Sequence, residues 1–455
     1  MPAPRVLAVL LLLALSCSPP DEHGRANVLL VTLDTTRADR IGAYGHTRPT
    51  SPNLDALSSE AILFERAYST SSWTLPAHAS LFTGKYPASH GARHDPEGPL
   101  VLADAVQAPR SVRARGMSPQ EPTLAGILAG HGWATGAVVG GPWLIRVFGV
   151  GAGFDFYDDA GMRSHLGRRA TEITDRAIEW LDRTEEPFFL FLNYFDPHAP
   201  YAPPARFARP FLPPGVAPDP LSLRQAPALY DGEIRYADDE LGRLFRWLRA
   251  RGLWERTLVV VTADHGELLG ERGDWGHERW LWEPLVHVPL IVKPAGPGRP
   301  GRREVVPVSL VDVLPLVLRE LGLPAPAGVQ GEPPPASRRE LLAEVNPIGT
   351  ESDTGEWRAR WDGSFKFLTS TLGERHLFDL ATDPGEARNL IPRDPERAER
   401  EARALERAFA ALPAPPPDAG PVQVDERTRE LLRELGYLGA AEEAPRSQTR
   451  SDPSE

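Results

Sequence analysis

The sequence contains a single cysteine, Cys17, among its 455 residues. This scarcity excludes an intrachain disulfide and any zinc site built from several cysteines. Cys17 closely follows a short apolar run, residues 6–15, which is preceded by Arg5. The run is too short to cross a bilayer, which needs about 20 apolar residues, but it suits the hydrophobic part of a signal peptide. We therefore predict that residues 1–17 are a signal peptide for export.

The residues around Cys17 refine this prediction. Leu13-Ala14-Leu15-Ser16-Cys17 resembles a relaxed bacterial lipobox, in which cleavage before the cysteine is followed by its lipidation. Several acyl chains would anchor the mature protein stably to a membrane. Ser18 favours the outer membrane, and residues 18–25 form a short polar tether. The prediction is an exported lipoprotein, periplasmic or outer-membrane; the alternative is a plain secretory signal with an incidental cysteine.

Basic residues are not in excess. Lys and Arg together number 50 against 62 Asp and Glu, and the formal net charge is −12. Since no segment concentrates lysine or arginine, the electrostatic footprint of a nucleic-acid binder is missing, and nucleic acid is excluded as a predicted partner. The chain is 41% hydrophobic and 25% charged, which is typical of a globular protein.

Four short apolar runs dominate the larger part of the chain: residues 28–33, 188–192, 258–262 and 289–292. Short apolar runs that alternate with helical patterns indicate a largely parallel sheet covered on both faces. An amphipathic helix is predicted over residues 231–251. We therefore predict an α/β catalytic domain over residues 26–330, with helices flanking a central sheet.

The sequence pattern changes after a Pro-rich stretch at residues 324–338. Residues 361–368 and 376–380 read as strands, and residues 395–412 read as a charged amphipathic helix. These patterns predict a small C-terminal α+β subdomain over residues 340–438. The last residues, 439–455, are polar and are predicted to be disordered.

Polar side chains follow three of the predicted strands. Asp34 follows the first, Asp196-Pro197-His198 follows the second, and Asp264-His265 follows the third. Ligands of open α/β sheets bind beyond the carboxyl ends of the strands. Carboxylates with an imidazole suit a divalent metal ion. The alternative for Asp34 taken alone is a helix N-cap.

A candidate nucleophile lies in the segment 72–84. Thr74 precedes Pro76, which can occupy the first turn of a helix running through Phe82. The N-terminus of a helix favours an anion, so an anionic ester bound there would lie beside the Thr74 hydroxyl. The alternative is that Thr74 only caps the helix.

Several longer stretches resemble one known family. They are NVLLVTLDTTRADRIGAYG (27–45), SPNLDALSSEAILFERAYS (51–69), SWTLPAHASLFTGKYP (72–87), FLNYFDPHAPYAPP (191–204), VVVTADHGELLGERGDWGHE (259–278) and HLFDLATDPGEARNL (376–390). Over most of residues 26–412 the chain resembles the sulfatase family of the alkaline phosphatase superfamily. The resemblance implies an alkaline-phosphatase-like fold. It also implies a site in which His198 and His277 face the substrate and one divalent cation (Ca, Mg, Mn or Zn) is surrounded by Asp34, Thr74, Asp264 and His265.

The chain departs from the family pattern at the nucleophile. The family carries a cysteine or serine that is converted to formylglycine in a C/S-x-P-x-R context, whereas this chain has Thr74 and His78 at those positions. The second Asp of many sulfatases is Thr35 here, and the family's Gly-Lys-Trp-His segment is replaced at residues 139–143. Because cationic groups are lost, Lys85 is a candidate to bind the substrate anion instead, and His78 joins the candidate catalytic residues.

Three functional hypotheses follow. The first is a metal-dependent hydrolase of a sulfate or phosphate ester in a small molecule, glycan or lipid, with Thr74 as nucleophile. The second is a phosphodiesterase or phospho-group transferase with a phosphothreonine intermediate, because other members of the superfamily use a threonine. The third is a catalytically silent lipoprotein that binds an anion or a glycan, with a purely structural scaffold as a further alternative.

Overall fold

A computed structural model describes residues 25–95, 100–103, 111–161, 167–185, 187–334, 340–346 and 354–416. The predicted signal peptide, the lipobox with Cys17 and the predicted disordered tail lie outside the described residues. Within the described part of the chain, no helix is both long enough and apolar enough to cross a membrane.

The strands of the described residues are named in chain order. They are β1 (Asn27–Leu33), β2 (Ile62–Phe64), β3 (Ala67–Tyr68), β4 (Arg93–His94), β5 (Leu100–Ala103), β6 (Ser111–Arg115), β7 (Ala134–Val138), β8 (Phe156–Asp158), β9 (Phe188–Tyr194), β10 (Thr257–Thr262), β11 (Leu268–Leu269), β12 (Trp275–Gly276), β13 (His287–Val288), β14 (Leu290–Lys293), β15 (Arg302–Glu304), β16 (Val308–Ser309), β17 (Leu341–Val345), β18 (Trp357–Asp362), β19 (Phe365–Ser370) and β20 (Arg375–Asp379).

The α-helices of the same residues are named likewise. They are α1 (Pro52–Ser58), α2 (Thr74–Thr83), α3 (Pro87–His90), α4 (Leu124–Gly130), α5 (Ala170–Leu181), α6 (Ala205–Ala208), α7 (Ala226–Ala250), α8 (Glu283–Val286), α9 (Val313–Glu320) and α10 (Pro395–Ala410).

The central sheet has eight strands in the order β15-β2-β14-β10-β1-β9-β7-β8. The five strands from β10 to β8 are parallel, and β14 runs antiparallel to both of its neighbours. Every residue of β1, β9 and β10 is buried. Strands of a parallel sheet are covered by helices on both faces, which explains their continuous apolar sequences.

Alternate residues of β1 enter two different cores. Val28 and Leu30 belong to the cluster that includes α2, α4 and α9, whereas Leu29 and Val31 belong to the cluster that includes α1, α5 and α7. The sheet is therefore the middle layer between two layers of helices. This architecture confirms the predicted α/β fold class. The predicted helix 231–251 forms most of α7.

The C-terminal part forms a four-stranded antiparallel sheet, β17-β18-β19-β20, with α10 packed against it. The single strand predicted over residues 361–368 is wrong. Gly363 adopts a positive φ of 65°, and the chain turns there between β18 and β19. Asp-Gly favours such a tight turn, which the apolar pattern alone did not reveal. The predicted boundaries of the two domains stay predictions.

Candidate active site

The candidate metal ligands come from the ends of two neighbouring strands. β1 and β10 pair in parallel, with Thr32 opposite Thr262, so the residues after them lie side by side. Asp34, Asp264 and His265 each offer one ligand atom, and these atoms lie within 4.8 Å of one another. All three side chains are buried. The structure therefore brings together the three ligands that the sequence predicted at separate strand ends.

Two carboxylate oxygens in this cluster have no hydrogen-bond partner, Oδ1 of Asp34 and Oδ2 of Asp264. The other oxygens are bonded: Asn193 donates to Oδ2 of Asp34 at 3.1 Å, and the N–H groups of Thr35 and His265 donate to Oδ1 of Asp264 at 3.1 and 2.9 Å. Burial and the nearby charge of Asp264 raise the pKa of Asp34 well above its usual value. Orphaned buried carboxylate oxygens are costly without a counter-charge, so the donor set fits a divalent cation.

His265 presents a free lone pair to the same point. Its Nδ1 lies 2.9 Å from the carbonyl oxygen of Gly266, which can only accept, so Nδ1 carries the proton. Burial lowers the pKa of His265, which keeps the ring neutral. Its Nε2 lies 3.4 Å from Oδ2 of Asp264. This neutral, oriented imidazole has the form that histidine takes as a metal ligand.

Thr74 is the first residue of α2, and its Oγ1 lies 3.2 Å from Nε2 of His265. The N-cap of the helix is Trp73, so the alternative in which Thr74 only caps α2 is wrong. The N–H groups of the first turn have no partner within a helix, and together with the helix dipole they favour an anion. The structure thus places the hydroxyl of Thr74 at a helix N-terminus and next to one of the three candidate metal ligands, His265.

His78 lies one turn further along α2 and is fully buried. Its Nδ1 is 2.9 Å from the carbonyl oxygen of Thr74, and its Nε2 is 3.0 Å from Oγ1 of Thr32. Burial lowers the pKa of the ring, so Nδ1 donates to the carbonyl and Nε2 accepts from the hydroxyl. Both nitrogens are therefore used inside the protein, where His78 links α2 to β1. Its Nδ1 also lies 3.5 Å from Oδ2 of Asp264, so the ring adjoins a candidate metal ligand, and its predicted catalytic role stays a prediction.

His277 and His198 lie on the open side of the cluster. The ring centroids of His277 and His265 are 4.5 Å apart, and those of His277 and His198 are 5.0 Å apart. Nδ1 of His277 is 2.9 Å from Oε1 of the buried Glu267. Although burial opposes its charge, Glu267 and then Glu278 raise the pKa of His277 well above its usual value. The ring is therefore cationic at neutral pH.

His198 has the opposite electrostatic character. Burial, and then the positive charge of His277, lower its pKa to about 4, so the ring is neutral at pH 7. Its Nδ1 lies 2.6 Å from the carbonyl oxygen of Ala199, which leaves Nε2 as the nitrogen with a lone pair. The two histidines thus lie side by side, one with a raised pKa and the other with a lowered pKa. The protonation state of each ring is set by its surroundings: Glu267 and Glu278 for His277, and burial with the charge of His277 for His198.

Sequence reasoning missed two residues of this site, Glu267 and Asn193. Glu267 holds His277 by its Nδ1, and Asn193 orients Asp34. Both lie inside the stretches that resemble the family, two residues after His265 and at the end of β9. Their position next to polar strand ends was the available signal.

Lys85 is not brought to the site. It follows α2 at the end opposite to Thr74, and ten helical residues span about 15 Å. Its Nζ lies 2.6 Å from Oε2 of Glu121. The structure therefore separates Lys85 from the candidate anion site.

A largely parallel α/β sheet with carboxylates, imidazoles and a hydroxyl at its carboxyl edge, beside a helix N-terminus, has the groups that a hydrolase of sulfate or phosphate esters requires. The family model described as Sulfatase matches residues 26–323, more than half of the chain. The chain belongs to the sulfatase family.

Individual relatives agree with this assignment. The chain is 25% identical to an ulvan-active sulfatase of Formosa agariphila, over 82% of this chain and 78% of that protein. It is 29% identical to a multifunctional alkaline phosphatase superfamily protein of Trinickia caryophylli, over 75% and 80% of the two chains. Among solved structures, the phosphonate monoester hydrolase of Agrobacterium radiobacter has a TM-score of 0.65 at 21% identity, covering 85% of this chain and 96% of that one. A further structure, solved with its substrate D-glucosamine-2-N,6-O-disulfate, has a TM-score of 0.68 at 18% identity, covering 85% and 97%. These structural likenesses support the fold.

Proposed function

We propose that the protein is a metal-dependent hydrolase of singly charged anionic esters, with Thr74 as its nucleophile. The observation that carries the proposal is the position of Oγ1 of Thr74, 3.2 Å from Nε2 of His265 at the N-terminus of α2. His265 in turn lies with Asp34 and Asp264, each of which has one carboxylate oxygen without a hydrogen-bond partner. A divalent cation (Ca, Mg, Mn or Zn) held by Asp34, Asp264 and His265 would supply positive charge that makes the Thr74 hydroxyl more acidic.

The charges around Thr74 support a singly charged substrate. The carboxylates of Asp34 and Asp264 would balance one divalent cation, and cationic His277 lies against two carboxylates, Glu267 and Glu278. Among the described residues, no lysine or arginine hydrogen-bonds to or pairs with the side chains of this cluster. A phosphate monoester carries about −1.5 to −2 charges at pH 7, and nothing here offsets the second charge. A phosphodiester, phosphonate monoester or sulfate ester carries one.

The two histidines divide the proton transfers. The ester binds with its charged oxygens toward the N–H groups of the first turn of α2. Thr74, whose hydroxyl a bound cation would make more acidic, gives its proton to water, and its oxygen forms the new ester bond in line with the bond to the leaving oxygen, which breaks. His277, held as a cation by Glu267, donates its Nε2 proton to the leaving oxygen. Loss of that charge removes one cause of the low pKa of His198. Nε2 of His198 is then able to accept a proton from the water that releases the product.

The nucleophile favours phosphorus over sulfur. In formylglycine sulfatases a second hydroxyl of the aldehyde hydrate expels sulfate, and threonine has no such hydroxyl. Release from Thr74 requires attack by water, which a phosphothreonine allows. The match to a phosphonate monoester hydrolase fold is consistent with this choice. A phosphodiesterase or phosphonate monoester hydrolase is therefore the first candidate.

The second candidate is a sulfate ester hydrolase that acts on a glycan. It is favoured by the named activity of the ulvan-active relative and by the disulfated glucosamine bound to a structural neighbour. A sulfate ester satisfies the single-charge argument equally well. Within the site, the threonine nucleophile is the feature that favours the first candidate over the second.

The test measures turnover of aryl phosphodiesters, phosphonate monoesters, phosphate monoesters and sulfates by the purified protein, with each of the four metals. We expect phosphodiester or phosphonate turnover that Thr74→Ala abolishes and Thr74→Ser partly keeps. Turnover of sulfates alone would establish the second candidate. Wild-type turnover by Thr74→Ala would refute Thr74 as nucleophile, and no turnover with any metal would favour the silent binding protein.

We also propose that the enzyme is exported and anchored by lipid at Cys17, because the lipobox follows an apolar signal sequence. The substrate is then an extracytoplasmic ester of a small molecule, glycan or lipid. Cys17→Ala is expected to release the protein from the membrane fraction. Unchanged fractionation of this variant would contradict the anchor.

A further inference from the structure

The loop 195–202 carries His198, so the position of this ring depends on how the loop is held. The loop follows β9 directly. Within it, the His198 ring stacks on Phe195 with centroids 4.3 Å apart. The hydroxyl of Thr35 donates to the carbonyl oxygen of Pro197 at 2.8 Å. These contacts hold the middle of the loop.

One arginine contacts both ends of the loop. Arg169 precedes α5, and its Nε lies 3.2 Å from Oδ1 of Asp196, at the start of the loop. Its Nη2 lies 3.5 Å from the carbonyl oxygen of Ala202, at the end of the loop. The planar guanidinium thus spans residues on either side of His198. A lysine would be a poor substitute here, because its ammonium group lacks the planar, forked set of N–H donors of a guanidinium.

Glu233 of α7 completes the arrangement. Its Oε1 accepts from the N–H of Ala202 at 2.8 Å and lies 3.5 Å from Nη1 of Arg169. The Arg169 guanidinium also lies over the ring of Tyr236, 4.9 Å from its centroid. The loop is therefore attached to both α5 and α7 through Arg169.

Burial makes Arg169 important for the two acids. The side chains of Asp196 and Glu233 are 0% and 1% exposed, whereas that of Arg169 is 38% exposed. Neither oxygen of Asp196 accepts a hydrogen bond, and neither does Oε2 of Glu233. Burial raises the pKa of both acids, and the charge of Arg169 opposes this shift at each of them. Docking of the loop in this conformation consequently depends on Arg169, which contacts both acids.

We propose that Arg169 is a positioning residue that holds the His198 loop in its catalytic conformation by joining Asp196, Ala202 and Glu233. The inference rests on the proposed function, because it requires His198 to act on the substrate. The contacts of Arg169 are with Asp196, Ala202, Glu233 and Tyr236. Its effect is transmitted through His198.

The experiment is a double-mutant cycle in the full-length protein with its metal and an aryl phosphodiester. Arg169→Met is expected to lower kcat by about 10-fold, part of the 100- to 10,000-fold that a positioned acid or base contributes, with KM changed by less than about 3-fold. In a His198→Ala background the same substitution is expected to change kcat by less than about 2-fold, because the residue it positions is gone. Arg169→Lys, which keeps the charge without the fork, is expected to give an intermediate kcat.

Arg206→Met is the matched control. This exposed arginine of α6 lies over Phe207, 4.5 Å from the ring centroid, and makes no ion pair among the described residues. Provided that His198→Ala is itself impaired, two results would overturn the proposal. One is an Arg169→Met variant with the kcat of the wild type. The other is an equal loss of kcat on Arg169→Met in the wild type and in the His198→Ala background. Full activity of His198→Ala would instead refute the assigned role of His198. If Arg169→Met does not fold, Arg169→Lys is carried through the same cycle and judged in the same way.

Discussion

The clearest prediction concerns Asp34→Asn, which removes one of two buried carboxylates while keeping the shape of the side chain. The ligand atoms of Asp34 and Asp264 lie within 4.8 Å of each other. Two unit charges at this distance repel by about 3 kcal/mol at an effective dielectric constant of about 20. Without a cation, the folded wild type bears this repulsion or the cost of protonating Asp34, whose pKa burial and Asp264 raise. Metal-free Asp34→Asn is therefore expected to be more stable than the metal-free wild type by up to about 3 kcal/mol.

Added metal is expected to offset most of this difference. A ligand that binds only the folded state stabilises it by about 2.7 kcal/mol at a concentration of 100 Kd. The wild type gains this stabilisation, whereas Asp34→Asn has lost a charged ligand and gains much less. For domains of this size about 1 kcal/mol corresponds to 2–4 °C in Tm, so the wild-type shift is roughly 5–10 °C.

The assay is thermal unfolding of both proteins in chelator and in each of the four divalent metals. Asp182→Asn is the matched control, because Asp182 lies on the surface and pairs with Arg251 far from the cluster. Equal metal-induced shifts in the wild type and Asp34→Asn would refute the ligand assignment. A metal-free Asp34→Asn less stable than the metal-free wild type would refute the repulsion argument.

Two further predictions test the surroundings of the site. Lys85→Ala is expected to leave kcat/KM within about 2-fold of the wild type, because Lys85 pairs with Glu121 at the far end of α2. Steady-state kinetics check this prediction, and a 10-fold loss of kcat/KM would indicate that Lys85 does contribute to substrate binding or catalysis. Burial, and then the charge of Asp196, raise the pKa of Glu233 to about 8, so the folded state keeps a proton that the unfolded chain releases above its usual value of about 4.5. The stability that this proton contributes is complete at low pH and is lost as pH rises towards 8. Glu233→Gln is expected to weaken the fall in unfolding free energy between pH 5 and pH 8 in urea melts, and parallel curves for the two proteins would contradict the assignment.

Much of the fold was predictable because it follows from local apolar patterns. The runs at residues 28–33, 188–192 and 258–262 became the buried parallel strands β1, β9 and β10. Parallel strands present their carboxyl ends at one edge, so the residues after them were expected to meet. Asp34 and the Asp264-His265 pair do meet there.

Other features depend on distances that a linear pattern does not contain. Lys85 follows Thr74 closely in the chain, yet α2 carries it to the opposite end of the helix. His78 is one turn from Thr74, and its two hydrogen bonds hold its ring in the protein interior, with Nδ1 3.5 Å from Oδ2 of Asp264. Whether a polar side chain faces the site is set by packing around the helix.

The sequence by itself therefore determined the central sheet and the polar residues at its carboxyl edge. It also showed directly that Thr74 stands where the family has a formylglycine precursor. Tertiary structure alone decided which of the polar residues act together. It set His277 on Glu267 as a cation and kept His198 neutral beside it. It also placed Arg169 against both ends of the His198 loop. The physical reason is that protonation and ion pairing depend on burial and on separations of a few ångströms between segments far apart in sequence.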